Sequence, residues 1–167
     1  MGDVSATAEA PRLTVELVPS TAWGSNVRSR VRRSVWDRLR RAAYAAADYR
    51  CECCQAEGRL EAHEVWAYDD AGRVQRLVRL LALCQPCHLV KHYGRAMNMG
   101  YEADALAQLR RVNGWTEAQA LAHVAEAFEV WRRRSAAPWT VDLSVLGLAA
   151  DAFLPVERPT WAEAPGQ

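Results

Sequence analysis

The sequence predicts an α+β fold: a small zinc-bound hairpin-and-helix core with helices before and after it. Three observations carry the prediction. All five cysteines lie between positions 51 and 87, four of them as the pairs Cys51-x-x-Cys54 and Cys84-x-x-Cys87. Between the pairs, two partly apolar stretches, Leu60 to Ala67 and Val74 to Leu83, are joined through Asp69-Asp70-Ala71-Gly72, the pattern of a β-hairpin. On either side, apolar residues recur at helical spacing.

Along the chain, residues 1–11 are small and polar with Pro11 and read as a loose arm. Leu13, Val15 and Leu17 alternate with polar residues, a weak strand signal ended by Pro19, and Trp23 to Arg33 reads as a loop. Ser34-x-x-Asp37 resembles a capping box ahead of Trp36, Leu39, Ala43 and Ala47, which gives a helix over about 34–49. A further helix should begin near Pro86, because proline suits the first turn, and stop before Gly94.

Helical periodicity covers 101–135: Leu106, Leu109 and Val112 mark a short helix closed by Gly114. Thr116 then caps a longer one with Leu121, Val124, Phe128 and Trp131 as its apolar stripe. Thr140 to Val145 alternates as a last strand, and the Ala- and Pro-rich residues 148–167 read as a frayed tail. One domain over 12–147, with its core at 49–95, follows.

Composition sets outer limits. The chain has 167 residues, half hydrophobic and a quarter charged, as in an ordinary globular domain. No stretch approaches the ~20 uncharged apolar residues of a spanning helix, and the N-terminus lacks a basic start and an apolar core, so a cytoplasmic protein without a membrane partner is expected. Net charge is only +1, but it is unevenly spread: Arg28 to Arg41 holds seven arginines against one aspartate.

The two cysteine pairs are separated by 29 residues. Each pair brings two sulfurs to one ion, and four thiolates make a closed structural zinc site with no open position for catalysis. Cys53 is left over as a spare thiol or a substitute for Cys54. Chemistry would need a second centre. His88 and His92 stand at i and i+4 on the expected helix, the spacing that offers two imidazoles to one metal, and His63 lies on the first hairpin strand. Three imidazoles around a divalent ion leave room for water or a phosphate oxygen.

The segment YRCECCQAEGRLEAHEVWAYDDAGRVQRLVRLLALCQPCHLVKH, residues 49–92, resembles the HNH nuclease module, the ββα-metal finger, with LCQPCHLVKH as its most specific piece. The resemblance implies that His63, His88 and His92 hold a catalytic divalent metal (zinc, magnesium or manganese) beside a structural zinc at Cys51, Cys54, Cys84 and Cys87. It places Glu64 where the family usually has a general-base histidine. Arg79 stands where the family has asparagine. The chain therefore reads H-E…R…H-x-x-x-H.

The first functional expectation is an HNH-type nuclease hydrolysing phosphodiester bonds in nucleic acid, DNA ahead of RNA. Its expected catalytic residues are His63, Glu64 and Arg79. Arg28, Arg30, Arg32 and Arg33 would grip phosphates on the same face as the histidines, and Trp66 and Tyr68 would stack on bases or pack the hairpin. A zinc metalloenzyme reusing the scaffold on a small molecule is the alternative, signalled by a closed aromatic pocket over His63. A non-catalytic zinc-stabilised binding module is a third.

Overall fold

The frame of the molecule is a long hairpin. In the computed structural model, which describes residues 10–155, β1 (Leu60–Asp69) and β2 (Val74–Cys84) pair antiparallel, and β3 (Thr140–Asp142) adds to the far side of β2 in parallel. The strand order β1-β2-β3 leaves the outer edge of β1 unpaired within the sheet. At the hairpin tip, Asp69 accepts from the backbone N–H groups of Ala71 (3.1 Å) and Gly72 (2.9 Å), the aspartate turn chemistry its position suggests. A Cβ at Gly72 would sit 2.5 Å from an Asp69 carboxylate oxygen, so any larger residue there would displace that side chain from the turn.

Among the described residues six α-helices surround the sheet: α1 (Val27–Arg30), α2 (Arg33–Ala46), α3 (Gln85–Lys91), α4 (Tyr93–Asn98), α5 (Glu102–Asn113) and α6 (Glu117–Arg134). They divide between the two faces of the hairpin. On one face Leu81, Leu83 and Val65 pack with the buried cysteines, Val90 of α3, Tyr93 of α4, Leu109 of α5 and Val124 of α6. On the other, Leu77 and Trp66 pack with Val27, Val31, Val35, Trp36 and Leu39 of the α1–α2 region. Strand alternation produces this division, because successive side chains point to opposite faces. A bulge on β2 re-aims it: Val65 pairs with Arg79 but Trp66 with Leu77, so Val78 is the extra residue.

Several elements differ from expectation. Leu13, Val15 and Leu17 form no strand. Their segment runs extended, with its backbone groups taken by side chains and one carbonyl: Leu13 N–H by Asn113 Oδ1, Val15 N–H by His123 Nε2, Glu16 N–H by the Lys91 carbonyl. The expected loop 23–33 contains α1, capped by Asn26, whose Oδ1 accepts the Ser29 N–H at 2.9 Å. Ser34 and Asp37 make no capping box. α2 begins at Arg33, and Asp37 instead pairs with Arg40 at 2.8 Å.

α3 keeps Pro86 in its first turn and ends at Lys91, but the chain re-enters a helix at Tyr93, so Gly94 lies inside α4. Periodicity over 101–135 resolves into α5 and α6, broken at Gly114 with φ +65°. Thr116 does cap α6, in a capping box with Gln119. Leu121 falls off the stripe and is 45% exposed. β3 is only three residues long, followed by a 3-10 turn at Ser144–Leu146. The start of the expected tail is ordered: Leu148, Ala152 and Phe153 pack on the second cluster, and Val31 bridges Phe153. Residues 1–9 of the expected arm and 156–167 of the tail lie outside the described residues. Among the described residues no helix is long and apolar enough to cross a membrane.

Candidate metal centres

The first centre is assembled from two tight turns. After α2, the chain passes through Asp48 and Tyr49 at positive φ and enters a loop in which Cys51 N–H donates to the Ala56 carbonyl and Gln55 N–H to the Cys51 carbonyl. This turn is fastened to the outer edge of β2: Glu52 N–H donates to the Ala82 carbonyl, and Glu52 Oε1 accepts from Ala82 N–H at 2.9 Å. The second pair sits where β2 runs into α3, with Cys84 as the helix N-cap residue and Cys87 in the first turn. Cys51, Cys54, Cys84 and Cys87 thereby converge within about 3.7 Å of one another, with the Cys54 and Cys84 sulfurs 3.5 Å apart.

Four thiolates at ~2.3 Å from a central ion stand ~3.8 Å apart along each tetrahedron edge. The group therefore has the donors and spacing to hold a metal ion. The Cys51 thiol is lowered from its ordinary value, chiefly by its hydrogen bond with Cys87 and further by the N–H groups of Cys84, Cys54 and Cys53, against the opposing cost of burial. Cys53 is buried beside Cys87 but lies outside the group of four. Gln108 of α5 donates from Nε2 to the Cys87 sulfur at 3.1 Å from a buried position. Nothing local in the sequence marks Gln108 for this contact.

The second group lies on the same face of the hairpin. His63 stands on β1 opposite Leu81. His88 lies on α3, and His92 is the residue between α3 and α4. One ring nitrogen from each of the three falls within 4.8 Å of the others, and the Nε2 atoms of His88 and His92 are 3.1 Å apart. Two imidazoles at ~2.0–2.1 Å from a tetrahedral ion would place their nitrogens ~3.3 Å apart. Burial, then the neighbouring His88 and His63, lower His92 to about 3, and burial and His63 also lower His88. Neutral imidazoles are the form that ligates metal.

Two carboxylates stand behind these rings. Glu61 bonds His88 Nδ1, and Glu16 Oε2 lies 3.0 Å from His63 Nε2. The remaining His63 nitrogen, Nδ1, is buried without a hydrogen-bond partner. A carboxylate on one ring nitrogen fixes the tautomer and frees the other for a metal. Glu16 is itself held by the buried Lys91 ammonium, which donates to Glu16 Oε1 (2.5 Å) and Thr14 Oγ1 (2.9 Å). Burial would raise the Glu16 carboxyl, but the His63 hydrogen bond and Lys91 outweigh it and hold the group at about 2.

The other expected site residues make no hydrogen bond to the imidazoles, although Glu64, Trp66 and Tyr68 line one cavity with His63. Alternation is unbroken between His63 and Glu64, so Glu64 leaves β1 on the opposite face, where its Oε1 accepts the Val27 N–H at 2.7 Å. Burial raises its carboxyl to about 7. Arg79 is half exposed and ion-paired with Glu52 at 2.7 Å, fastening the first cysteine turn to the sheet. The arginine-rich segment does not share the histidine face: α1 and α2 cover the Leu77–Trp66 side, while α3 lies across the hairpin. There Arg30 donates to Ser25 and Arg32 to the Asp151 carbonyl, while Arg28 and Arg33 flank them in α1 and at the start of α2. Trp66 packs into the second cluster. Tyr68 meets Trp139 edge-on with the Arg134 guanidinium 4.1 Å above its ring, and Arg134 also grips Asp70 with two 2.9 Å bonds.

These features define an α+β protein with a four-cysteine cluster able to bind a metal ion. The chain matches no protein-family model, no curated protein and no solved structure.

Proposed function

We propose that the chain is a metal-dependent hydrolase of the HNH type that cleaves phosphodiester bonds in nucleic acid. It would hold structural zinc at Cys51, Cys54, Cys84 and Cys87, and a second divalent ion (zinc, magnesium or manganese) at His63, His88 and His92. The observation that carries the reading is the convergence of one strand imidazole and two helix imidazoles, with carboxylates behind His63 and His88. A divalent ion held by these three histidines would supply Lewis-acid stabilisation of charge on a scissile phosphate. Three protein donors leave coordination positions free for water and a substrate oxygen.

In this reading Glu16 and Glu61 are positioning residues. Each holds one ring nitrogen so that its histidine presents the other to the ion. Lys91 keeps Glu16 ionised for that purpose. No catalytic role is assigned to Arg79, which is engaged with Glu52, and no phosphate contact to Arg28, Arg30, Arg32 or Arg33, whose elements lie across the hairpin. The test is incubation of purified protein with Mg²⁺, Mn²⁺ or Zn²⁺ and single- or double-stranded DNA or RNA at low salt. Cleavage that His88→Ala abolishes while binding survives supports the reading; neither binding nor cleavage of any of these overturns it.

One observation favours a second reading, a metalloenzyme acting on a small molecule. A cavity of about 330 Å³ adjoins His63 and carries three carboxylates, Glu16, Glu64 and Glu126. Three carboxylates on that wall suit a small ligand with hydrogen-bond donors better than a phosphate group.

A further inference from the structure

The cavity runs along the unpaired edge of β1, between that strand, the extended segment 15–18 and α6. Because it follows a strand edge, it receives side chains from both faces: His63 from one, Glu64 and Trp66 from the other. Its apolar surface comes from Val15, Leu17 and Val130, with Trp66 beside them. At about 330 Å³ it is at the small end of ligand pockets, room for roughly one bicyclic ring.

The polar groups decide what kind of ring. Arg134 is the one arginine of the lining, and it is already engaged by Asp70 and Tyr68. Against it stand Glu16, Glu64 and Glu126. Glu16 is taken by Lys91 and His63, which leaves Glu64 and the exposed Glu126 for a ligand. Glu64 meets the Val27 N–H and lies near that of Arg28, but a carboxylate has about four lone-pair sites, so acceptor capacity remains. A phosphate or carboxylate would meet like charge here. A flat heterocycle with N–H donors would meet an apolar wall and an acceptor.

We propose that this cavity binds an amino-bearing nucleobase, with guanine as the best match, through the Glu64 carboxylate and the Trp66-bearing apolar wall. The choice of a nucleobase among N–H-bearing heterocycles rests on the phosphodiesterase reading above. Guanine carries two adjacent donors, N1–H and the exocyclic amine, on one edge, which suits a carboxylate. Uracil offers a single N–H between two carbonyls, which a carboxylate repels. Reading an unpaired base on its Watson–Crick edge is a common way to recognise nucleic acid. His63 is a wall of the cavity and a member of the imidazole group, so an unstacked base held here would hold its strand beside that group.

The test needs no cleavage. The full-length, metal-loaded protein is titrated with guanosine, adenosine, cytidine and uridine by calorimetry and by ligand-observed NMR. Guanosine is expected to bind at least tenfold more tightly than uridine. Glu64→Gln, which keeps an acceptor for Val27 N–H, should weaken guanosine binding at least tenfold. Val130→Phe, which fills the cavity from α6, should abolish it. Equal binding of guanosine and uridine, undiminished binding in folded Glu64→Gln and Val130→Phe, or no nucleoside binding at millimolar concentration would overturn the proposal. Nucleic-acid cleavage by a protein that fails this titration would leave the phosphodiesterase reading intact; guanosine binding by a protein that cuts nothing would remove that reading and keep the pocket.

Discussion

Replacing Gln108 tests whether the buried amide supports the metal through Cys87. The side chain lies within the α5 face that packs on α3, and its Nε2 donates to the Cys87 sulfur at 3.1 Å. Gln108→Met removes the donor while keeping length and an apolar stem, so it separates the hydrogen bond from the packing. Losing such an outer partner costs roughly 10–100-fold in metal affinity, equivalent to ~1.4–2.7 kcal/mol. Binding free energy in a structural site is also folding free energy. At ~2–4 °C per kcal/mol for a domain of this size, the melting temperature should fall by about 3–11 °C. Gln108→Glu should cost more, because it sets a carboxylate against a thiolate. Competition for zinc against a chromophoric chelator gives the affinity, and thermal unfolding in parallel gives the stability. Unchanged affinity in both variants would refute the role of Gln108.

Three further outcomes follow from the packing. Cys84→Ser should leave a zinc-free chain without cooperative unfolding, since the ~10–16 kcal/mol of a structural zinc is comparable with the whole ~5–15 kcal/mol stability of a domain; circular dichroism and elemental analysis check it. Cys53→Ser should keep its structural metal, because Cys53 lies outside the four-sulfur group; loss of that metal would contradict the ligand assignment. Leu109→Ala removes a fully buried side chain between α5 and the cysteine cluster and should cost about 2–5 kcal/mol in denaturant unfolding.

The candidate metal ligands were legible because they are local. Two cysteine pairs and the i, i+4 histidines declare themselves within a few residues, and the hairpin between them supplies the third imidazole. The supporting groups were not legible. Glu16 meets His63 across 47 residues, and Gln108 meets Cys87 across 21, so neither differs in sequence from an ordinary surface side chain. The segment at Leu13–Leu17 alternates like a strand, yet its partners are mostly side chains, Asn113 and His123, rather than a ladder. Ser34 and Asp37 had the right spacing for a cap, but the Arg40 guanidinium claims the aspartate. The placement of Arg28–Arg41 across the hairpin from the histidines depends on which side of the sheet α2 covers. Periodicity does not report that.

In the proposed function His63, His88 and His92 hold a second divalent ion beside the four-cysteine site. Metal counting on the zinc-loaded, desalted protein tests it most directly. Two ions per chain are expected in the wild type and one in His88→Ala, with the folded core intact in both. One ion per chain in the wild type and in His88→Ala alike would contradict it.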